Sequence, residues 1–274
     1  MASILEQIVS KTREDLSKRK KKITFKDLES LQQFESDIST FSDSLRKKDM
    51  VSIIAEVKKG SPSKGIIRKD FNPLKIAESY IQGGASAISV LTDEPFFKGS
   101  LSYLEKISEE FSIPLLRKDF IIDPYQVKEA RAYGADAVLL IATICEGNQL
   151  SELLAAVKEF KLEALVECYH VEEVKQLNWN EIGIVGVNNR DLNTFEVDLH
   201  RGVSLLKEAP GHVVRVSESG IHKPEDIHYL HKNGIHSALI GEYFMRQPDI
   251  EKSLKTFIDD YKSLVVAEEE RAEM

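Results

Sequence analysis

The sequence predicts an α/β fold, a (β/α)8 TIM barrel preceded by an N-terminal helical extension. Three observations carry this expectation. From position 51 onward, eight short apolar runs alternate with amphipathic segments, and the runs are too continuous to be half-exposed strands, so they read as buried parallel ones. The eight units fill roughly 210 residues, a span that suits a closed barrel better than an open doubly wound sheet. The G-x-G-x-x-G turn that would open such a sheet is missing after the first run.

In chain order, Ile4, Leu5, Ile8, Val9 and Leu16 recur at near-helical spacing and predict a first helix. A basic run at 18–22 follows, then Phe25, Leu28 and Leu31, which predict a second helix. Residues 1–50 are therefore expected to cover the barrel's bottom or rim. The strands are predicted at 51–57, 87–91, 114–116, 137–141, 162–166, 182–187, 212–216 and 238–240. Helices are predicted to begin near Pro73, Ser100, Pro124, Asn148, Val171, Leu199, Pro224 and Pro248, several with proline suited to a first helical turn. No Pro/Gly/Ser-rich linker interrupts 51–262, so residues 1–274 are expected to form one domain, with 263–274 as a tail whose end, 268–274, reads as frayed.

Composition excludes several function classes. The 274 residues carry a formal net charge of −8, which speaks against a nucleic-acid-binding surface spread over the molecule, so an anionic ligand must meet a local cationic site. The basic run at 18–22 is flanked by Glu14, Asp15, Asp27 and Glu29 and reads as a solvated helix end. The longest unbroken hydrophobic run, 137–142, is far short of the roughly 20 residues of a membrane span. The first residues resemble no signal or transit peptide, and a cytoplasmic location is expected. Cys145 and Cys168 are too few for a disulfide framework or a zinc site and read as buried or unremarkable thiols. His222, His228, His231 and His236 read as surface groups, and no metal is expected.

In a barrel of this kind the C-terminal strand ends face the active site. Alternation puts Glu56 and Lys58 on one side of the first strand, opposite Val57. The third strand ends in Leu116-Arg117-Lys118-Asp119-Phe120, the fifth in Glu167, the sixth in Asn188-Asn189-Arg190 and the seventh in Ser217-Glu218-Ser219-Gly220. Any one of these could be a solvated loop residue. Their convergence from five strands predicts instead a buried, paired cluster. Glycines directly after strands seven and eight, Gly220 and Gly241, predict a phosphate held on backbone N–H groups. Gly60-Ser61-Pro62-Ser63-Lys64-Gly65 superficially resembles a P-loop, but Ile66 and Ile67 stand where Lys and Ser/Thr are required. No G-x-S-x-G elbow accompanies Ser217 or Ser219.

These residues, taken in order, resemble the indole-3-glycerol phosphate synthase family over essentially the whole chain. The resemblance rests on Ile54-Ala55-Glu56-Val57-Lys58 with Ser61-Pro62-Ser63, and on Leu91-Thr92-Asp93 with Phe97 and Gly99. It continues through Leu116-Arg117-Lys118-Asp119-Phe120, Leu165-Val166-Glu167, Gly186-Val187-Asn188-Asn189-Arg190-Asp191-Leu192, Ser217-Glu218-Ser219-Gly220-Ile221 and Ile240-Gly241-Glu242. Cys168-Tyr169 and Tyr243-Phe244 depart from commoner small or aliphatic choices. Some members are fused to a second, isomerase barrel; 274 residues are expected to hold one.

The resemblance implies a substrate, 1-(o-carboxyphenylamino)-1-deoxyribulose 5-phosphate, that closes its ring, loses CO2 and water and becomes indole-3-glycerol phosphate in tryptophan biosynthesis. It implies Lys118 as general acid, Glu167 and Lys58 in the dehydration, Glu56 tuning the lysines and Asn188 hydrogen-bonding the substrate. It implies Ser61 and Arg190 near a carboxylate, and Phe97 and Phe120 walling the aromatic ring. Glu218, Ser219, Gly220, Gly241 and Glu242 complete the binding set, Glu242 through its backbone N–H. No cofactor is implied, and transient contact with other tryptophan-pathway enzymes is. Two other readings stay open: a Schiff-base aldolase acting on a sugar phosphate, and a phosphometabolite-binding barrel without turnover.

Overall fold

The computed structural model describes residues 3–191 and 196–273; Met1, Met274 and Leu192 of the sixth-strand motif lie outside them. Eight parallel strands form a closed barrel: β1 (Ser52–Val57), β2 (Ala87–Leu91), β3 (Leu115–Lys118), β4 (Ala137–Ile141), β5 (Glu163–Cys168), β6 (Ile184–Asn188), β7 (Val214–Glu218) and β8 (Ser237–Ile240), with β8 pairing back onto β1. Between them run α3 (Pro73–Gly83), α4 (Leu101–Glu110), α5 (Pro124–Ala132), α6 (Gln149–Glu159), α7 (Val171–Gln176), α8 (Leu199–Leu206) and α9 (Pro224–Lys232). After β8 come the short α10 (Glu242–Met245) and the long α11 (Ile250–Glu273). The extension contributes α1 (Ile4–Lys22) and α2 (Phe41–Leu45).

Local sequence sets these starts. Asn72 and Asp123 accept hydrogen bonds from the first free N–H groups of α3 and α5, with Pro73 and Pro124 at the position where a missing N–H is harmless. In α1, Ser3 and Glu6 form a reciprocal capping box.

Four expectations shift. The apolar runs locate the strands, but β3, β5, β6 and β7 continue past them to Lys118, Cys168, Asn188 and Glu218. Parallel pairing carries the ladder one to two residues beyond the apolar stretch, so the polar groups sit on strands and not on loops. Phe25, Leu28 and Leu31 do not lie on a second helix; two short 3-10 turns, Asp27–Ser30 and Gln32–Glu35, follow α1. The exact three-residue spacing of those apolar groups fits three residues per turn. The helix predicted at Pro248 begins at Ile250. The tail is not frayed: α11 continues to Glu273, and Glu268 reaches back to His228 (2.7 Å) and Lys232 (2.5 Å) on α9.

The barrel interior is filled by Ile54, Ala87, Leu116, Ala137, Leu139, Leu165, Ile184, Val214, Val216 and Leu239, in one cluster with Ile8, Leu16, Leu28, Phe41 and Leu45 of the extension. The extension thus reaches both ends of the barrel. Leu5 and Ile8 of α1 overlook the C-terminal mouth, while near α2 the backbone N–H groups of Ser39 and Ser42 donate to Asp136 and Glu163 at the opposite ends of β4 and β5. It is fastened along α5. Lys128 is almost fully buried, with its ammonium 3.9 Å from the Phe25 ring centroid, 5.6 Å from those of Phe34 and Phe160, and ion-paired with Glu29. One residue on, Glu129 takes Arg19 of α1 at 2.8 Å.

Candidate active site

One cleft at the C-terminal mouth brings the predicted residues together. It is lined by Glu56 on β1, Lys58 and Ser61 after it, Phe97 after β2, Lys118 on β3 and Phe120 after it, and Glu167 from β5. Asn188 and Arg190 come from β6, Glu218, Ser219 and Gly220 from β7, and Gly241 and Glu242 follow β8. Alternation explains the selection. Lys118 faces inward, whereas Arg117, the residue before it, is wholly buried on the other side of the strand.

The centre of the cleft is a charge cluster. Lys118 Nζ lies 3.1 Å from Glu167 Oε2 and 3.4 Å from Glu218 Oε2, and Lys58 Nζ lies 3.2 Å from Glu56 Oε1. Burial by itself would discharge Lys118, but Glu167, then Glu218 and Glu56, outweigh it and push the ammonium's pKa above its ordinary value. Lys118 is therefore held charged. Glu218 goes the other way: desolvation leads, Lys118 opposes it, and Glu167 adds to it, so the carboxyl is raised to about 8. Glu56 has a steric partner in Gly241, where a Cβ would come within 2.3 Å of the carboxylate. That glycine permits the close approach of Glu56.

Around this cluster the walls are apolar. Phe97 and Phe120 are 5.9 Å apart between centroids, Lys58 lies 5.5 Å from the Phe97 ring, and Ile4, Leu5 and Ile8 of α1 form part of the lining. At the far side Ser219 and Gly220 hold consecutive left-handed conformations, φ 69° and 77°. Glu242 turns its carboxylate to Arg246 at 3.0 Å.

The sequence reading missed part of this lining. Leu139, Ile141 and Leu239 line the cleft although the sequence marks them only as strand residues, and the two-residue spacing of Leu139 and Ile141 is the signal that puts them on one face; His222, expected as a surface group, and Tyr243 line it as well. The histidines also divide: His222 is exposed at the cleft, but His228, His231 and His236 are half-buried, and His228 pairs with Glu268. Among the described residues, no group of three His, Cys, Asp or Glu side chains could hold a metal ion.

The sequence profile of a family described as Indole-3-glycerol phosphate synthase matches residues 5–257. The chain belongs to the indole-3-glycerol phosphate synthase family. An indole-3-glycerol phosphate synthase of Aliarcobacter butzleri is 48% identical over 259 residues, covering 93% of this chain and 98% of the relative. One of Rhodopirellula baltica is 44% identical over 256 residues, covering 93% and 99%. Among solved structures, a mutant tryptophan synthase alpha-subunit of Pyrococcus furiosus superposes with a TM-score of 0.59 at 16% identity, over 80% of this chain and 99% of that one; this likeness concerns the barrel fold alone. Among the described residues no helix is long and apolar enough to cross a membrane.

Proposed function

We infer that this indole-3-glycerol phosphate synthase family chain performs the family's reaction at the described cleft, with Lys118 as its central proton donor. The observation that carries this reading is the Lys118 ammonium fixed between Glu167 and Glu218 below an aromatic-walled opening. In the first stage the ring carbon that bears the carboxylate attacks the ketone carbon, a C–C bond forms, and the carbonyl oxygen takes a proton from Lys118. A developing alkoxide is basic enough to accept a proton even from an ammonium whose pKa is raised. CO2 then leaves, and the electron pair of the broken bond returns to the aromatic ring.

In the second stage the new hydroxyl departs as water with a proton from an acid, and the neighbouring CH2 gives a proton to a base. Glu167 and Lys58 share this stage, because both line the same cleft and each already faces a group of opposite charge. Glu56 orients Lys58, and Asn188 supplies neutral hydrogen bonds. Ser61 and Arg190 receive the anthranilate carboxylate, and Phe97 and Phe120 enclose its ring. The phosphate occupies Ser219, Gly220, Gly241 and Glu242. Every step moves protons between substrate and side chains, so the scheme uses no cofactor and no metal. A place in the cytoplasm and transient contacts with other tryptophan-pathway enzymes belong to the same proposal, supported by the biosynthetic character of the family.

A Schiff-base aldolase would need Lys118 as a neutral amine, and the Glu167 carboxylate at 3.1 Å favours the opposite. Mixing enzyme with the carboxyphenylamino-deoxyribulose phosphate is expected to generate indole fluorescence. No signal at micromolar enzyme overturns catalysis and favours a binding barrel; borohydride labelling of Lys118 with a keto-sugar phosphate overturns the proton-donor role.

A further inference from the structure

Asn189 sits between two residues that line the cleft, Asn188 and Arg190, yet is itself only 1% exposed and points away from it. Its bonds run to the neighbouring strand. The side-chain amide donates to Ser217 Oγ and to the Ser219 carbonyl, both at 2.9 Å, and its backbone N–H donates to the Glu218 carbonyl at 2.8 Å. From the other side, the Asp198 N–H at the head of α8 donates to the Asn189 carbonyl at 3.0 Å. One residue therefore ties the end of β6 and the start of α8 to three consecutive residues of β7 and its turn.

The turn needs such a hold. Ser219 has a Cβ and a φ of 69°, a region that L-residues enter only when their surroundings compensate for the strain, and Gly220 continues it at 77°. The Ser219 carbonyl is the part of that turn which the Asn189 amide grips. Arg190, next in sequence, has its backbone N–H donated to Asn188 Oδ1 at 3.1 Å, so the same short segment also sets the β6 side of the cleft.

We propose that Asn189 is a positioning residue for the phosphate end of the substrate: its amide, braced on Ser217, fixes the left-handed Ser219–Gly220 turn at a set distance from the β6 rim. This inference rests on the phosphate reading of that turn. Asn189 touches no substrate and acts on none of the proton-transfer groups, so its loss weakens binding and leaves the chemical step largely intact.

The test compares Asn189→Ala and Asn189→Leu, the second keeping the branch at Cγ but unable to donate, with the unaltered enzyme. Inorganic phosphate is the probe, as a competitor of substrate, and melting is followed by circular dichroism. The expected result is a KM raised about ten-fold, a phosphate inhibition constant raised by the same factor, and a kcat within about three-fold. A fall in kcat with KM and phosphate inhibition unchanged overturns the proposal. So does loss of cooperative melting in both variants, which would make Asn189 a folding residue. Gly220→Ala separates the two readings: with φ +77° and a Cβ that would meet Val197 at 2.1 Å, it deforms the turn directly. If phosphate does not compete, or competes equally well against Gly220→Ala, the phosphate reading falls and this proposal with it. If Gly220→Ala weakens phosphate and the Asn189 variants do not, only the proposal falls.

Discussion

Lys118 and Glu218 are two halves of one electrostatic arrangement. Lys118 stays charged because the carboxylates of Glu167 and Glu56 outweigh its burial, and the Glu218 carboxyl is raised to about 8 because its own burial outweighs the help that Lys118 gives. Lys118→Ala is expected to lower kcat by about 100-fold or more, the usual scale for loss of a positioned acid. Lys118→Arg should restore little, since guanidinium keeps the charge and withholds the proton. An unchanged kcat with a raised KM would make Lys118 a binding group instead. Glu218 predicts a pH effect on stability. Its folded pKa, about 8, lies above the unfolded value near 4.5, so the folded state binds the extra proton between these values and wild-type stability declines across that window. Glu218→Gln removes this dependence. Its melting temperature relative to wild type should climb from pH 5 to pH 8; a flat difference would contradict the raised carboxyl.

Strand β3 acts through both of its faces. While Lys118 faces the cleft, Arg117 joins Asp119 and Glu129, each at 2.9 Å, Thr92 at 3.1 Å and the Gln126 carbonyl at 2.8 Å. Gln126 in turn holds the Phe120 carbonyl and the Ile122 N–H, and Glu129 holds Arg19 of α1. The strand end that presents Lys118 and Phe120 is thereby locked to α5 and to the helix over the mouth. Arg117→Leu would leave Asp119 and Glu129 buried without their shared cation, a change that costs about 3–5 kcal/mol. A urea midpoint within error of wild type would show that the network carries no such weight. The 3-10 turns that follow α1 are also an element-scale outcome: Leu28 is fully buried, and Lys128 supplies a partner that no local periodicity discloses.

Across the whole molecule the chemistry and the plug lie at opposite ends. α1 covers the mouth, and Phe41 and Leu45 of α2 are fully buried against the interior where the strands begin. In such barrels the mouth carries function and the other face carries stability. Phe41→Ala should therefore cost about 3–5 kcal/mol of unfolding free energy, as large-to-small core changes do, and leave KM unaltered in the folded fraction. A variant that melts normally but binds substrate poorly would break this division.

Strand identity and part of the inward set at the mouth were legible because the two-residue period of a strand needs no knowledge of its neighbours: Glu56 and Lys58 share a face by counting alone. The reach of each ladder was not, since β5 and β7 extend to Cys168 and Glu218 through hydrogen bonds to strands encoded elsewhere. Nor could the sequence show that Asn189 grips Ser219, that α11 persists through Glu268 by pairing with α9, or that Glu218 keeps its proton. Those are properties of burial and of contacts between distant segments. Local pattern determined which residues point into the barrel mouth, and only closure of the barrel decided their distances, their charges and what holds them there.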